Sequence, residues 1–120
     1  MDILIVDDSR AMRMIVKKTL RDAGFDDHEF YEAEDGQVGL DKVKEISPDL
    51  ILSDWNMPNM NGIEFLEALR AEGVNTEFGF ITTEATSEMR DLATNTGAQF
   101  LITKPFTVES FEDTLGDYIK

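Results

Sequence analysis

Cysteine is absent from the 120-residue chain. That excludes disulfides, thiolate metal sites and cysteine nucleophiles, and it fits a reducing compartment. No apolar run approaches the length needed to cross a bilayer, and the start, Met1-Asp2-Ile3, carries no basic segment of the kind a secretory signal needs. Neither a signal peptide nor a membrane segment is expected, and the cytoplasm is the expected location. Cations are few: 11 Lys and Arg stand against 25 Asp and Glu, a formal net charge of −14. Nucleic acid is therefore not expected as a direct ligand, because phosphate binding needs clustered Lys and Arg. A metal or a basic partner suits the charge better. The single histidine, His28, stands alone and is assigned no role. Apolar residues make up 42% of the chain, enough for a core, so a disordered chain is not expected.

Short apolar runs alternate with amphipathic stretches. The spacing predicts strands over 2–7, 29–33, 50–53, 77–82 and 99–103, and helices over 10–23, 36–46, about 62–72, 87–96 and 108–119. In the first helix Met12, Ile15, Val16, Thr19, Leu20 and Ala23 fall on one face. Val38, Val43 and Ile46 do so in the second, Ile63, Phe65, Leu66 and Leu69 in the third, and Val108, Phe111, Leu115 and Ile119 in the last. Ser9, Asp35 and Thr107 stand at N-cap positions, Gly24 just past a helix end, and Pro48 beyond another. Strands alternating with helices of this length mean βαβ units and a parallel sheet, joined by right-handed crossovers. The fold class is α/β, a doubly wound five-stranded (βα)5 sheet. Ten elements use up residues 1–120, so one domain with no fused output domain is expected.

The carboxyl ends of such strands lie along one edge, where open α/β sheets bind ligands. Asp7 and Asp8 follow Ile3-Leu4-Ile5-Val6, Asp54 follows Leu50-Ile51-Leu52-Ser53, Thr82 and Thr83 end the fourth run, and Lys104 ends the fifth. Two like charges about 4 Å apart repel by roughly 4 kcal/mol at an effective dielectric near 20. Asp7 and Asp8 therefore call for a cation, or for one of them to be protonated. Hard oxygen ligands without His or Cys select a hard cation, and few protein ligands completed by water suit Mg²⁺ better than Ca²⁺. Lys104 and Thr82 would supply a charge and a donor to phosphate oxygens, which outlines a phosphoryl-transfer site with Asp54 as nucleophile. A calcium loop starting at Asp54 is rejected. It needs Gly at its sixth position and Glu at its twelfth, where Asn59 and Phe65 stand.

The ordered set Val6-Asp7-Asp8-Ser9, Asp54-Trp55-Asn56-Met57-Pro58 with Asn61-Gly62, Ile81-Thr82 and Lys104-Pro105-Phe106 resembles response-regulator receiver domains, and among them the single-domain chemotaxis type. The likeness spans the whole chain. It implies a flavodoxin-like sheet of order 2-1-3-4-5. It implies that Asp54 accepts a phosphoryl group from a histidine kinase. Asp8, Asp54 and the backbone carbonyl of Asn56 would bind Mg²⁺ directly, with Asp7 acting largely through water. Thr82 would be the switch hydroxyl, Lys104 would pair with the phosphate, and the Lys104-Pro105 bond would be cis. Asn56 and Glu84 would set how fast the acyl phosphate hydrolyses. The output would be another protein, with the flagellar motor switch as candidate, and the chain is expected to be a monomer.

Two other receiver-class roles are a phosphate sink or relay and a degenerate, constitutive binding module. The latter would have lost a site residue, and none is missing. The rival from another class is an aspartyl-phosphate phosphohydrolase. Such enzymes resemble haloacid dehalogenases, with a second Asp two residues after the nucleophile as general acid/base. Asn56 holds that position, which favours a lasting phosphoryl state over turnover.

Five of the eleven cations, Arg10, Arg13, Lys17, Lys18 and Arg21, fall in the first helix, with Arg13, Lys17 and Arg21 on one face. This is either a solvated face or, as the resemblance implies, a kinase-docking surface near Arg10, Arg13 and Lys17. Leu101 stands where the family often has an aromatic that swings with the switch Thr; a Leu can repack but cannot swing a phenol. Ala93-Thr94-Asn95-Thr96 are mostly poor helix formers. With Leu101 and the last helix they mark the fourth helix, fifth strand and last helix as the expected mobile output face. Gly79, inside a strand, marks a bulge or a close backbone approach. Trp55 adjoins the nucleophile, so its fluorescence is expected to respond to metal or phosphorylation.

Overall fold

The apolar runs form strands buried on both faces, which is why they read as continuous rather than alternating. The computed structural model describes residues 1–119. The elements run β1 (Asp2–Val6), α1 (Arg10–Asp22), β2 (Glu29–Ala33), α2 (Gly36–Ile46), β3 (Leu50–Ser53), α3 (Gly62–Ala71), β4 (Glu77–Thr82), α4 (Ser87–Thr96), β5 (Phe100–Thr103) and α5 (Val108–Leu115). All strand pairs are parallel and the sheet order is β2-β1-β3-β4-β5. The fold class and strand order are those expected.

Alternate side chains of each strand go to opposite faces. Leu4, Val6, Ile51, Phe78 and Phe80 pack with Val43 of α2, Phe65, Leu66 and Leu69 of α3, and Ala93 of α4. Ile3, Ile5, Leu50, Leu52, Ile81 and Ile102 pack with Val16 and Leu20 of α1 and Phe111 and Leu115 of α5. Each helix starts on a side-chain cap: Ser9, Asp35, Asn61, Thr86 and Thr107 accept from a backbone N–H one turn on. Gly24 adopts φ +94 just past α1, a backbone conformation that costs glycine little.

Three readings are corrected. Ile15 is 48% exposed rather than inward; α1 meets the sheet along the narrow stripe of Val16 and Leu20, and Ile15 falls outside it. The last helix ends at Leu115, not 119, because Gly116 follows and glycine weakens helices. Ile119 is nevertheless buried through a turn in which its N–H donates to the Leu115 carbonyl, 2.9 Å. Gly79 marks no bulge: its register with Phe100 is continuous, and a Cβ there would lie 2.0 Å from the Phe100 ring. The ring of this edge-strand residue occupies the space above the glycine.

Candidate functional site

The sheet's hydrogen bonding runs past the strand ends and fixes the site backbone. The Asp54 N–H donates to Val6 O (2.9 Å), that of Asp7 to Ala33 O (3.1 Å), and that of Lys104 to Thr82 O (2.8 Å). Asp7, Asp54 and Lys104 are thus held at the carboxyl ends of β1, β3 and β5 by their neighbours in the sheet. The Lys104-Pro105 bond is cis.

The Lys104 ammonium bridges two carboxylates, 3.1 Å from Asp7 Oδ2 and 3.2 Å from Asp54 Oδ2. All three side chains are largely enclosed. The remaining oxygens are also used: Asp7 Oδ1 accepts from the Ser9 N–H at 2.9 Å, and Asp54 Oδ1 from the Trp55 N–H at 2.7 Å. Asp8, next in the chain, is exposed. Burial pushes the Asp54 carboxyl above the ordinary aspartate range. Lys104 opposes that rise, Asp7 adds to it, and the bonds from the Trp55 N–H and from Lys104 offset part of it.

Asp7, Asp8 and Asp54 each offer an oxygen within 4.8 Å of the other two. Among the described residues no other such acidic or histidine cluster occurs. A Mg–O distance of about 2.1 Å places opposite ligands about 4.2 Å apart. That spacing is close to the span of one coordination shell, and the all-oxygen set fits a hard dication. Asn56, whose carbonyl was expected to join them, is exposed in the loop just beyond Asp54.

Thr82 ends β4 fully buried, whereas Thr83 is exposed. The Thr82 hydroxyl accepts a long 3.5 Å hydrogen bond from the Glu84 N–H. Trp55, 8% exposed, packs its ring 4.7 Å from that of Phe80. Leu101 is half-buried against the α2–α4 core.

The sequence did not reveal the role of Arg13. Its Nη1 donates to the Asp7 backbone carbonyl at 2.6 Å, and its Nε to Glu32 Oε1 at 2.8 Å. Lys17 donates to the other Glu32 oxygen at 2.7 Å. These two cations, Lys17 first, hold the Glu32 carboxyl below its usual range against the opposing effect of burial. Arg13 and Lys17 are thus committed to β2, while Arg10 is exposed. The available signal was the acidic Glu32 inside a strand pattern facing a helix with cations four residues apart. Ser53 was also missed; its buried hydroxyl donates to the Asp54 carbonyl at 2.8 Å.

A family model described as response regulator receiver domain matches residues 3–115. The chemotaxis protein CheY-3 of Vibrio cholerae is 42% identical over 117 residues, which cover 96% of this chain and 88% of that protein. The chemotaxis protein CheY of Pseudomonas aeruginosa is 37% identical over 117 residues, covering 96% and 93%. Among solved structures, the chemotaxis protein CheY4 of Vibrio cholerae superposes with a TM-score of 0.86 at 37% identity, covering 98% of this chain and 97% of that one.

Proposed function

Because the chain belongs to the response regulator receiver domain family, we propose that it is a phosphorylation switch of a two-component, chemotaxis-type system with Asp54 as phosphoacceptor. The observation that carries this reading is the Lys104 ammonium held between Asp7 and Asp54 beside a third carboxylate, Asp8.

Asp8, Asp54 and the Asn56 carbonyl would hold Mg²⁺ directly, and Asp7 through water. Bound there, the ion would neutralise charge on the oxygens of the phosphoryl group in transfer. An Asp54 oxygen attacks phosphorus, the P–N bond of the kinase's phosphohistidine breaks, and its electron pair stays on the imidazole, which takes up a proton. Burial leaves the Asp54 carboxylate poorly solvated and therefore reactive. Lys104 transfers its contact from the Asp54 carboxylate to a phosphoryl oxygen, and the Thr82 hydroxyl donates to another. The chain is then a phosphoacceptor that catalyses its own loading and, with Asn56 and Glu84 beside the phosphoryl group, its own slow hydrolysis.

Moving Thr82 biases the face of α4, β5 and α5 toward a partner-binding state. The flagellar motor switch is the output target that the resemblance supports. Kinase docking falls near Arg10, Arg13 and Lys17, because α1 starts two residues after Asp8. A phosphate sink or relay is the second reading, favoured by Leu101, which cannot swing in with Thr82. Asn56 argues against a phosphohydrolase.

Incubation with acetyl phosphate and Mg²⁺, followed by intact mass, tests the proposal. One phosphoryl group is expected on the wild type and none on Asp54→Asn. Repeated turnover of small phosphoesters would favour the hydrolase.

A further inference from the structure

The loop from Trp55 to Asn61 carries Asn56, and it is pinned at its ends and in its middle. At the ends, the Gly62 N–H donates to the Trp55 carbonyl at 2.8 Å. In the middle, the Asn59 amide donates to Asp35 Oδ2 at 2.8 Å, and the Gly36 N–H donates to the Met60 carbonyl at 3.0 Å. Asp35 is 4% exposed, and its other oxygen accepts from the Val38 N–H at 2.9 Å to cap α2. A Cβ on Gly36 would lie 2.7 Å from the Met60 carbonyl oxygen, so the start of α2 and the loop backbone are in direct contact. Asn59 adopts φ +64, a strained conformation for most residues that Asn tolerates. Burial raises the Asp35 carboxyl, but the Val38 N–H, the Asn59 amide and the Gln37 N–H together leave it below the usual range. Capping α2 requires only one of its oxygens, and a serine does that about as well. The second, buried oxygen is spent on Asn59, three residues beyond Asn56.

We infer that Asp35 is a positioning residue for the metal site, acting through Asn59 to fix the loop whose Asn56 carbonyl completes the ligand set. The inference rests on the Mg²⁺-dependent reading of Asp54 above. A fixed carbonyl favours Mg²⁺, which demands near-ideal octahedral geometry at about 2.0–2.1 Å. A loosened one penalises Mg²⁺ more than Ca²⁺, which accepts longer and more variable distances.

Two variants break the link and keep what surrounds it. Asp35→Ser retains the cap on α2, and Asn59→Gly retains the positive φ. Calorimetric titration of the full chain with MgCl₂ and with CaCl₂ gives both affinities. Each variant is expected to bind Mg²⁺ about tenfold more weakly, the scale for losing a supporting contact around a metal site. The Ca²⁺ affinity should fall by much less. The double variant should be no worse than the single ones, because both remove one interaction. Unchanged Mg²⁺ affinity, equal loss for both ions, or additive losses would each overturn the inference. Wild type that neither binds Mg²⁺ nor gains mass from acetyl phosphate would instead overturn the reading of Asp54.

Discussion

The Lys104 ammonium lies 3.2 Å from the Asp54 carboxylate, yet Asp54 still holds its proton more tightly than an ordinary aspartate. Burial and the neighbouring Asp7 together outweigh the lysine. A carboxyl whose folded pKa is raised makes its stabilising contribution below its unfolded pKa, about 3.8, and loses it as pH rises through the folded value. At neutral pH without metal, the charged Asp54 therefore destabilises the fold. Asp54→Asn should raise the urea midpoint at pH 7 in EDTA, and the difference should vanish below about pH 3.8. A lower midpoint for the variant at pH 7 would show that the lysine wins.

Removing Lys104 should have the opposite effect. Lys104→Met leaves Asp7 and Asp54 enclosed without their shared cation, and breaking a buried pair from one side costs about 3 kcal/mol. Mg²⁺ would then be the only cation for that pocket, so it should stabilise the variant more than the wild type. Thermal unfolding with and without MgCl₂ checks this. Equal Mg²⁺-dependent shifts in the two proteins would mean that the lysine and the metal do not share the same charge.

The gathering of the candidate residues at one edge was legible because it is local. Asp7, Asp8, Asp54 and Lys104 each follow an apolar run, and in a parallel sheet the ends of such runs share one edge. The choice between Thr82 and Thr83 was not local. Adjacent strand residues point to opposite sides, so spacing does not choose; the resemblance named Thr82, and the structure buries it while leaving Thr83 exposed. Arg13 and Glu32 lie 19 residues apart and meet because α1 packs beside β2. Helical spacing shows that Arg13 and Lys17 share a face, not what that face meets. Gly79 is explained by Phe100, its partner across a strand pairing that periodicity cannot supply. Asp35 shows the same limit: its role as a cap follows from the sequence, but its second contact to Asn59 comes from the tertiary fold.

Two glycines should respond differently to the same added methyl. At Gly62 a Cβ would lie 2.2 Å from the Asp54 carbonyl oxygen and 3.0 Å from Trp55 Cα, both backbone atoms that cannot move aside. At Gly79 the three nearest atoms all belong to the ring of Phe100, a half-buried side chain on an edge strand. Overpacking costs about 1–3 kcal/mol. Gly62→Ala should fall at or above the top of that range and also slow phosphorylation by acetyl phosphate, since it displaces the backbone of the acceptor. Gly79→Ala should fall near the bottom, and Phe100→Leu should relieve it. Denaturant unfolding of the three variants settles the order, and an equal cost at both glycines would refute the distinction between backbone and side-chain obstruction.

Charge reversal on α1 separates docking from support of the site. Arg13 is bonded to both Glu32 and the Asp7 carbonyl. Arg13→Glu would set two carboxylates against each other and release the backbone of a site residue. It should slow phosphorylation from a kinase and from acetyl phosphate alike, and so says nothing about docking. Arg10 is exposed and starts the same helix. Arg10→Glu should slow transfer from the kinase several-fold, with a loss that shrinks as salt is added, because exposed charges are screened over about 10 Å at 0.1 M. Its rate with acetyl phosphate should match the wild type. If Arg10→Glu lost both activities equally, or neither, the basic end of α1 would not be where the kinase docks.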